Sequence, residues 1–378
     1  MMELLKESKM KIAIVTITDG QNYGNRLQNF ALQQVLKNMG YEVQTLKRKT
    51  YRDLSVAGEM LYYIKIIVKR LMGRKYAASR LMRKNEFDRF NREYIQFSDM
   101  CLHDNVHPEG VLDQFDYFIV GSDQVWNAGF RIISDDISNY LLSFARSEQR
   151  IAYAASFGTD TLAEGTEALF KKELSKFKEI SVREHSGADI VRSFGINAEV
   201  VLDPVLLLSK EEWLSIAKKP KFVGDSQFIV TYFLSDRDEL IDRYSKKLPD
   251  NTSIFNLKLE FCSESKIKSI EEFVTAPDEF IWLIANAKFV LTDSFHATAF
   301  SILFHRPFWV FERKAINNSY KIGGRINTIL NTFNLMDHKR MIDDPVVFPS
   351  ELNNDIDEIM ENEKQKSFKF LKRALSKK

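Results

Sequence analysis

Short apolar runs alternate with stretches of helical period almost from one end of the chain to the other. The run KIAIVTI (11–17) reads as a buried strand, followed by a Gly/Asn-rich loop. In the next segment, NRLQNFALQQVLKNMG, Leu27, Phe30, Ala31, Val35 and Leu36 recur at helical spacing. Gly40 stands where a C′ residue ends a helix, and YEVQTL (41–46) returns as a strand. Strand, helix and strand in that order predict a βαβ unit, and hence a parallel sheet.

A helical stretch over about 57–97 interrupts the alternation. Strands are then expected at FDYFIVGS (115–122), RIAYAAS (150–156), EISVRE (179–184) and AEVVLDPVLLL (198–208). The stretch KKPKFVGDSQ is the best linker, and beyond it the pattern restarts with FIVTYFLS (228–235), SIFNLKL (253–259), KFVLTD (288–293) and FWVFER (308–313). The C-terminal residues 350–378 form a charged amphipathic helix, acidic early and basic late as the helix dipole favours. The pattern predicts a two-lobed α/β protein, with one lobe over 11–215 carrying the helical insertion and a second over 222–345. The C-terminal helix is expected to pack back on the first lobe.

Charge and composition narrow the class. Lys and Arg total 54 against 52 Asp and Glu, a formal net charge of +2, which argues against a nucleic-acid coat protein with its basic excess. With 44% hydrophobic and 28% charged residues over 378 positions, the chain can bury two ordinary cores. One stretch, Lys65 to Arg92, is strongly basic and aromatic-rich. It is either the solvated face of a helical pair or a steering surface for an anionic partner, such as a lipid headgroup or phosphorylated glycan carrier. Cys101 and Cys262 stand far apart in no metal-binding spacing, which fits a reducing compartment. The chain shows neither a signal-peptide pattern nor an 18-residue apolar run. The expected location is cytoplasmic, with no transmembrane segment, and the basic stretch leaves membrane proximity open.

Ligands of parallel sheets bind beyond the carboxyl ends of the strands, and those of two-lobed proteins between the lobes. After the first strand, Gly20 and Gly24 allow close backbone approach, and Asn22 and Asn25 flank a helix start whose N–H groups suit an anion. The same loop also reads as an ordinary turn with Asn caps, and it lacks GxGxxG spacing. VGSDQVWN puts Ser122 and Asp123 at a strand end, where the carboxylate is an acid, a base or an N-cap. In ISVREHSGADIV, Arg183 suits a carboxylate or phosphate in a bidentate fork, or else pairs with Glu184 at the surface. Asp203-Pro204 reads as structural, with proline setting the exit path.

TDSFHATAFSILFHRPF carries Ser294 as a plausible N-cap and His296 in the first helical turn. That position attracts anions and lowers the imidazole pKa, which a bound phosphate would raise again. His296 is otherwise a packing residue, and His305 a solvated charge at the helix end. Lys314, Lys321 and Arg325 either complete an anion pocket or decorate a loop. No metal-ligand spacing, GxSxG or Walker loop occurs, so neither a metal nor a tightly bound cofactor is expected.

Taken in order, NYGNRLQNFAL, VGSDQVWN, AASFG, SVREHSGADI, VVLDPVLLL and TDSFHATAFSILFHRPF resemble the polysaccharide pyruvyl transferase family over nearly the whole chain. The resemblance implies two Rossmann-like lobes facing a central cleft, similar to GT-B glycosyltransferases. It also implies transfer of pyruvate from phosphoenolpyruvate, the donor, to two hydroxyls of a saccharide acceptor as a ketal, with phosphate released in surface or exopolysaccharide biosynthesis. Carried over residue by residue, it makes Arg183 and His296 donor-site residues and Asp123 the acid/base, with His296 protonated in the clamp or itself the acid. Some members have an arginine where this chain has Ser294, and many have glycine where it has Ala297. Arg325 or Lys314 would then supply the missing cation. Two other readings remain: a nucleotide-sugar glycosyltransferase on the same kind of fold, and a non-catalytic glycan- or anion-binding relative. The acceptor's sugar, its linkage to lipid and the oligomeric state are not written in these motifs.

Overall fold

The computed structural model describes residues 9–49, 60–61, 64–66, 68, 76, 78–103, 110–312, 324–353 and 355–376. The first sheet holds β1 (Lys11–Val15), β2 (Glu42–Lys49), β3 (Phe97–His103), β4 (Tyr117–Val120), β5 (Arg150–Ala155), β6 (Glu179–Val182) and β7 (Glu199–Val200). They lie in the order β3-β2-β1-β4-β5-β6-β7, every pair parallel. The second sheet holds β8 (Phe228–Tyr232), β9 (Ser253–Leu257), β10 (Val290–Thr292), β11 (Phe308–Phe311) and β12 (Lys339–Arg340). Its order is β12-β11-β10-β8-β9, again parallel. The chain is therefore an α/β protein of two parallel sheets, as the alternation predicts. Each sheet reverses direction once, between β1 and β4 and between β8 and β10, and a crevice opens at the strand ends of such switch points.

Two expected elements came out differently. Residues 97–103 fall at the edge of the expected helical stretch, but form β3, which among the described residues pairs only with β2. Its sequence, FSDMCLH, has no strong period, so ladder hydrogen bonds to β2 decide its conformation. In the run 198–208, only Glu199–Val200 is strand. Asp203 ends the extended segment by accepting the Val205 N–H at 3.1 Å, and Pro204 opens a single 3-10 turn. Val205 to Leu208 are buried all the same, and an apolar run does not say whether it is buried as strand or turn.

The helices that pack around the seam between the sheets are α1 (Tyr23–Asn38), α2 (Ser79–Tyr94), α3 (His185–Ser193), α4 (Pro277–Asn286), α5 (Phe295–Leu303), α6 (Gly324–Thr332) and α7 (Ile356–Ala374). Helix α1 begins where the Asn22 side chain accepts the Asn25 N–H. It ends in a Schellman motif: the Gly40 N–H bonds Lys37 and the Tyr41 N–H bonds Leu36, with Gly40 at φ +97°. One continuous apolar core spans both sheets, joining Ile12 and Ile14 of β1 to Val230 of β8 and Val290 of β10. At its centre Tyr23 stacks on Phe280 with ring centroids 4.5 Å apart and meets Tyr232 edge-on at 5.3 Å. Helix α2 ties the lobes further, since Arg89 forks onto the fully buried Asp278 at 2.8 and 3.0 Å.

Helix α7 returns to the first lobe. Phe370, fully buried, packs on Tyr153, and the Ser367 hydroxyl accepts the Leu202 N–H at 3.1 Å. Arg373 bridges Glu179 and Glu199 on the sheet edge. Deleting the Phe370 ring should therefore unseat a helix: Phe370→Ala is expected to cost about 3–5 kcal/mol in chemical denaturation. An unchanged denaturation midpoint would mean that α7 contributes nothing to the first lobe.

Candidate active site

The carboxyl end of β4 runs directly into Gly121, Ser122 and Asp123. Helix α1 and β1 hold that turn through one buried side chain. Gln28 accepts the Ser122 N–H at 3.0 Å and donates to the Thr16 hydroxyl at 2.9 Å, while Thr16 donates to the Ser122 carbonyl. The Ser122 hydroxyl then donates to Asp203 at 2.6 Å. Arg183, just past β6, donates to the same Asp203 oxygen at 2.7 Å and approaches Asp123 at 3.4 Å. Arg183 and Asp203 are both essentially closed to solvent.

The second lobe contributes from across the seam. The Phe295 ring lies 4.4 Å from the Arg183 guanidinium, and His296 brings its Nε2 to 3.7 Å from Asp203. That is an electrostatic contact but too long for a hydrogen bond. Four buried atoms here have no hydrogen-bond partner among the described residues: Arg183 Nε, Glu184 Oε2, Ser186 Oγ and His296 Nε2. The imidazole reaches this position only because residue 24 has no side chain. A Cβ on Gly24 would fall 2.0 Å from His296 Nδ1. Arg325, buried in α6, adds positive potential at both Glu184 and His296.

Each residue expected from sequence has a definite place. Ser122, Asp123, Arg183 and His296 come together around Asp203, with Gly24 against the imidazole, Glu184 in electrostatic reach of Arg183 and Arg325 in reach of His296. Glu184 is not a surface partner of Arg183: one of its oxygens accepts the Ser156 hydroxyl at 2.9 Å and the N–H groups of Phe157 and Gly158 at 2.8 and 3.2 Å. Asn22 caps α1, while Asn25 is half-buried at its start. Ser294 holds the N-cap position of α5, but its side chain caps nothing; its N–H donates to Thr292 instead. His305 is no free charge, for it pairs with Asp357 of α7 at 3.0 Å. Lys314 and Lys321 lie outside the described residues. The two residues that sequence reasoning undervalued are Asp203, read as a turn former, and Gln28. Asp203 in fact does both jobs, one oxygen holding the turn and the other the site. A concavity of about 1870 Å³ lies at the amino ends of the first-sheet strands, away from all of these groups.

Burial would raise the Asp203 carboxyl, but His296, Arg183 and the Ser122 hydroxyl outweigh it and hold it below its usual range. Burial also pushes the His296 imidazole down; Asp203 and Asp123 oppose that shift, and Arg183 and Arg325 reinforce it. Glu184 is pushed up by burial, against Arg183 and Arg325. Two predictions follow from these signs. Asp203→Ala strands the buried Arg183 charge and should cost roughly 3–5 kcal/mol in denaturation, far more than a surface carboxylate. Because His296 loses its proton more readily folded than unfolded, the ligand-free protein should lose stability as pH falls below the ordinary histidine value of 6.5. Asp203 has the same sign lower down, below its ordinary 3.8, and Glu184 the opposite sign. The wild type minus His296→Asn difference in melting temperature between pH 8 and pH 5.5 isolates the histidine. A difference independent of pH would refute its buried, neutral state.

Comparison with known proteins supplies the remaining context. No curated protein gives a significant match. Among solved structures, an uncharacterized protein of Klebsiella pneumoniae subsp. pneumoniae is 17% identical, with 71% of this chain and 88% of that one covered and a TM-score of 0.40. UDP-GlcNAc 2-epimerase from Neisseria meningitidis, bound to UDP-GlcNAc, is 12% identical over 97% of this chain and 95% of that one, at a TM-score of 0.47. The glycosyltransferase SnogD from Streptomyces nogalater is 11% identical over 97% and 100%, at 0.38. These likenesses are too distant to carry function. The sequence profile described as polysaccharide pyruvyl transferase matches residues 22–314, a span running from the α1 cap through the seam to the end of β11 and beyond. The chain belongs to the polysaccharide pyruvyl transferase family.

Proposed function

We propose that this protein transfers pyruvate from phosphoenolpyruvate to two hydroxyls of a saccharide, forming a ketal and releasing inorganic phosphate, in the assembly of a surface or exopolysaccharide. The observation that supports it is the pair of buried, unpartnered donors, Arg183 Nε and His296 Nε2, offered from opposite lobes around Asp203. Unsatisfied buried donors are costly, and a site that keeps two of them is built for an acceptor that arrives with the ligand. Phosphoenolpyruvate brings a phosphate and a carboxylate together. Arg183 takes one of these groups and the first-turn amides of α5 suit the other. Arg325 supplies the positive charge that Ser294 does not.

The chemistry divides between two side chains. A sugar hydroxyl adds to the enol carbon while a proton goes to the methylene carbon, giving a tetrahedral ketal phosphate. The second hydroxyl then displaces phosphate and closes the ring, its proton leaving with the phosphate. His296 is the acid in this scheme: its Nε2 is unengaged, and a bound dianion raises the pKa that burial lowers. Asp123 is the base that receives the hydroxyl proton, since its carboxylate accepts the Gln124 N–H and faces Arg183 in the acceptor form. Neither step requires a metal or tightly bound cofactor from the protein.

Calorimetry tests this directly. Phosphoenolpyruvate should bind the full chain with proton uptake, read from the dependence of the heat on buffer ionisation enthalpy. His296→Asn should abolish the uptake, and Arg183→Lys, which keeps a charge for Asp203 but loses the fork, should weaken binding by one to two orders of magnitude, roughly the value of a charged hydrogen bond. Binding of UDP- or GDP-sugars with no response to phosphoenolpyruvate would replace this reading with nucleotide-sugar transfer. Wild-type affinity in both variants would remove the site assignment.

A further inference from the structure

Beyond the carboxyl ends of β8 and β9 lies a second pocket, of about 340 Å³, beside the switch point of the second sheet. That volume suits a small ligand. Its rim carries Phe261, which is 82% exposed. The turn beneath this ring is held from several directions. Arg80 of α2 donates to the carbonyls of Glu260 and Cys262 at 2.9 and 2.8 Å, and the Cys262 N–H closes on the Leu259 carbonyl at 3.1 Å. The Glu260 side chain packs so closely on Gly20 of the first lobe that a Cβ there would fall 2.8 Å from its carboxylate oxygen. Among the described residues, an aromatic ring is thus presented largely to solvent on a backbone held from several sides.

The pocket's charged residues are two lysines paired with carboxylates and Arg237, which donates to the backbone carbonyls of Asp236 and Glu312. Lys258 binds Asp238 at 2.5 Å and Lys266 binds Asp236. Such pairs offer hydrogen-bond donors and acceptors side by side with little net charge. Asp236 and Asp238 also stand at the start of the helix Asp238–Ser245, where their charge opposes the binding of a phosphate at the first-turn amides. A flat apolar ring opposite mixed donors and acceptors suits an uncharged pyranoside, whose C–H face stacks on the ring while its hydroxyls meet the pairs. The pocket is joined to His296 by one residue. Asp293, three positions before the histidine, accepts the Leu234 N–H at 2.6 Å and the Ser235 hydroxyl, and both Leu234 and Ser235 line the pocket.

We propose that this pocket is the acceptor subsite, holding an uncharged pyranoside unit of the saccharide with its apolar face on Phe261. The proposal rests on the pyruvyl-transfer reading only for the word acceptor; the pocket's preference for a neutral sugar is independent of it. Saturation-transfer NMR on the full chain, with methyl glycosides of glucose, galactose, mannose and N-acetylglucosamine and with UDP as anionic control, tests it with and without phosphoenolpyruvate. At least one glycoside should receive saturation from the wild type, lose roughly fivefold or more of it in Phe261→Ala, and recover it in Phe261→Trp, which keeps a stacking face. Equal signals in wild type and Phe261→Ala, no glycoside bound, or UDP displacing the glycoside would each overturn the proposal. Parallel calorimetry with phosphoenolpyruvate keeps the two readings apart. Sugar binding that depends on Phe261 in a protein indifferent to phosphoenolpyruvate removes pyruvyl transfer and leaves the pocket. Donor binding with a glycoside signal insensitive to Phe261 removes the pocket alone.

Discussion

The buried ion pair between Arg183 and Asp203 is the interaction on which the seam depends. Neither group is tolerable there without the other, because an isolated charge in a closed interior loses its hydration without compensation. Their pairing draws four chain segments to one point: the turn after β4 through Ser122, the end of β6 through Arg183, the 3-10 turn through Asp203 itself, and the start of α5 through His296. The Tyr23, Phe280 and Tyr232 cluster fills the apolar space nearby and joins the two sheets into one core. Polar and apolar halves of the seam thus support each other.

That arrangement gives His296 a specific electrostatic position. It faces two carboxylates, Asp203 and Asp123, and two guanidinium groups, Arg183 and Arg325, while burial itself disfavours the imidazolium. The balance favours the neutral form, and an added anion would act in the opposite sense. In the proposed reaction, such a group would gain its proton as the anionic ligand arrives and deliver it to the enol phosphate. The close fit of His296 against Gly24 restricts the ring's direction.

Much of the fold was legible because parallel strands buried on both faces read as short apolar runs, and the helices between them keep their period. β1, β4, β5, β8 and β11 lie within the runs that marked them. The edge strand β3 was not legible, since one neighbour and a polar composition leave little period to read. Strand ends also point to Asp123, Arg183 and His296 as candidates. Asp203 was passed over for a definite reason. The Asp-Pro dipeptide has a sufficient local explanation as a turn, and its second oxygen acquires partners only from residues 81, 20 and 93 positions away.

By itself the sequence determined the two-lobed α/β architecture, the positions of the chemistry-bearing turns and the balanced overall charge, because each is set by local period, turn residues and composition. Tertiary structure alone decided which of those turns face one another. It paired Arg183 with Asp203 rather than with its neighbour Glu184, placed Gly24 beneath His296, and set Phe261 on the rim of a pocket tied to Asp293. Those outcomes depend on the packing of distant segments, and the free energy of a buried charge or a close backbone contact resides in the surroundings rather than in the residue.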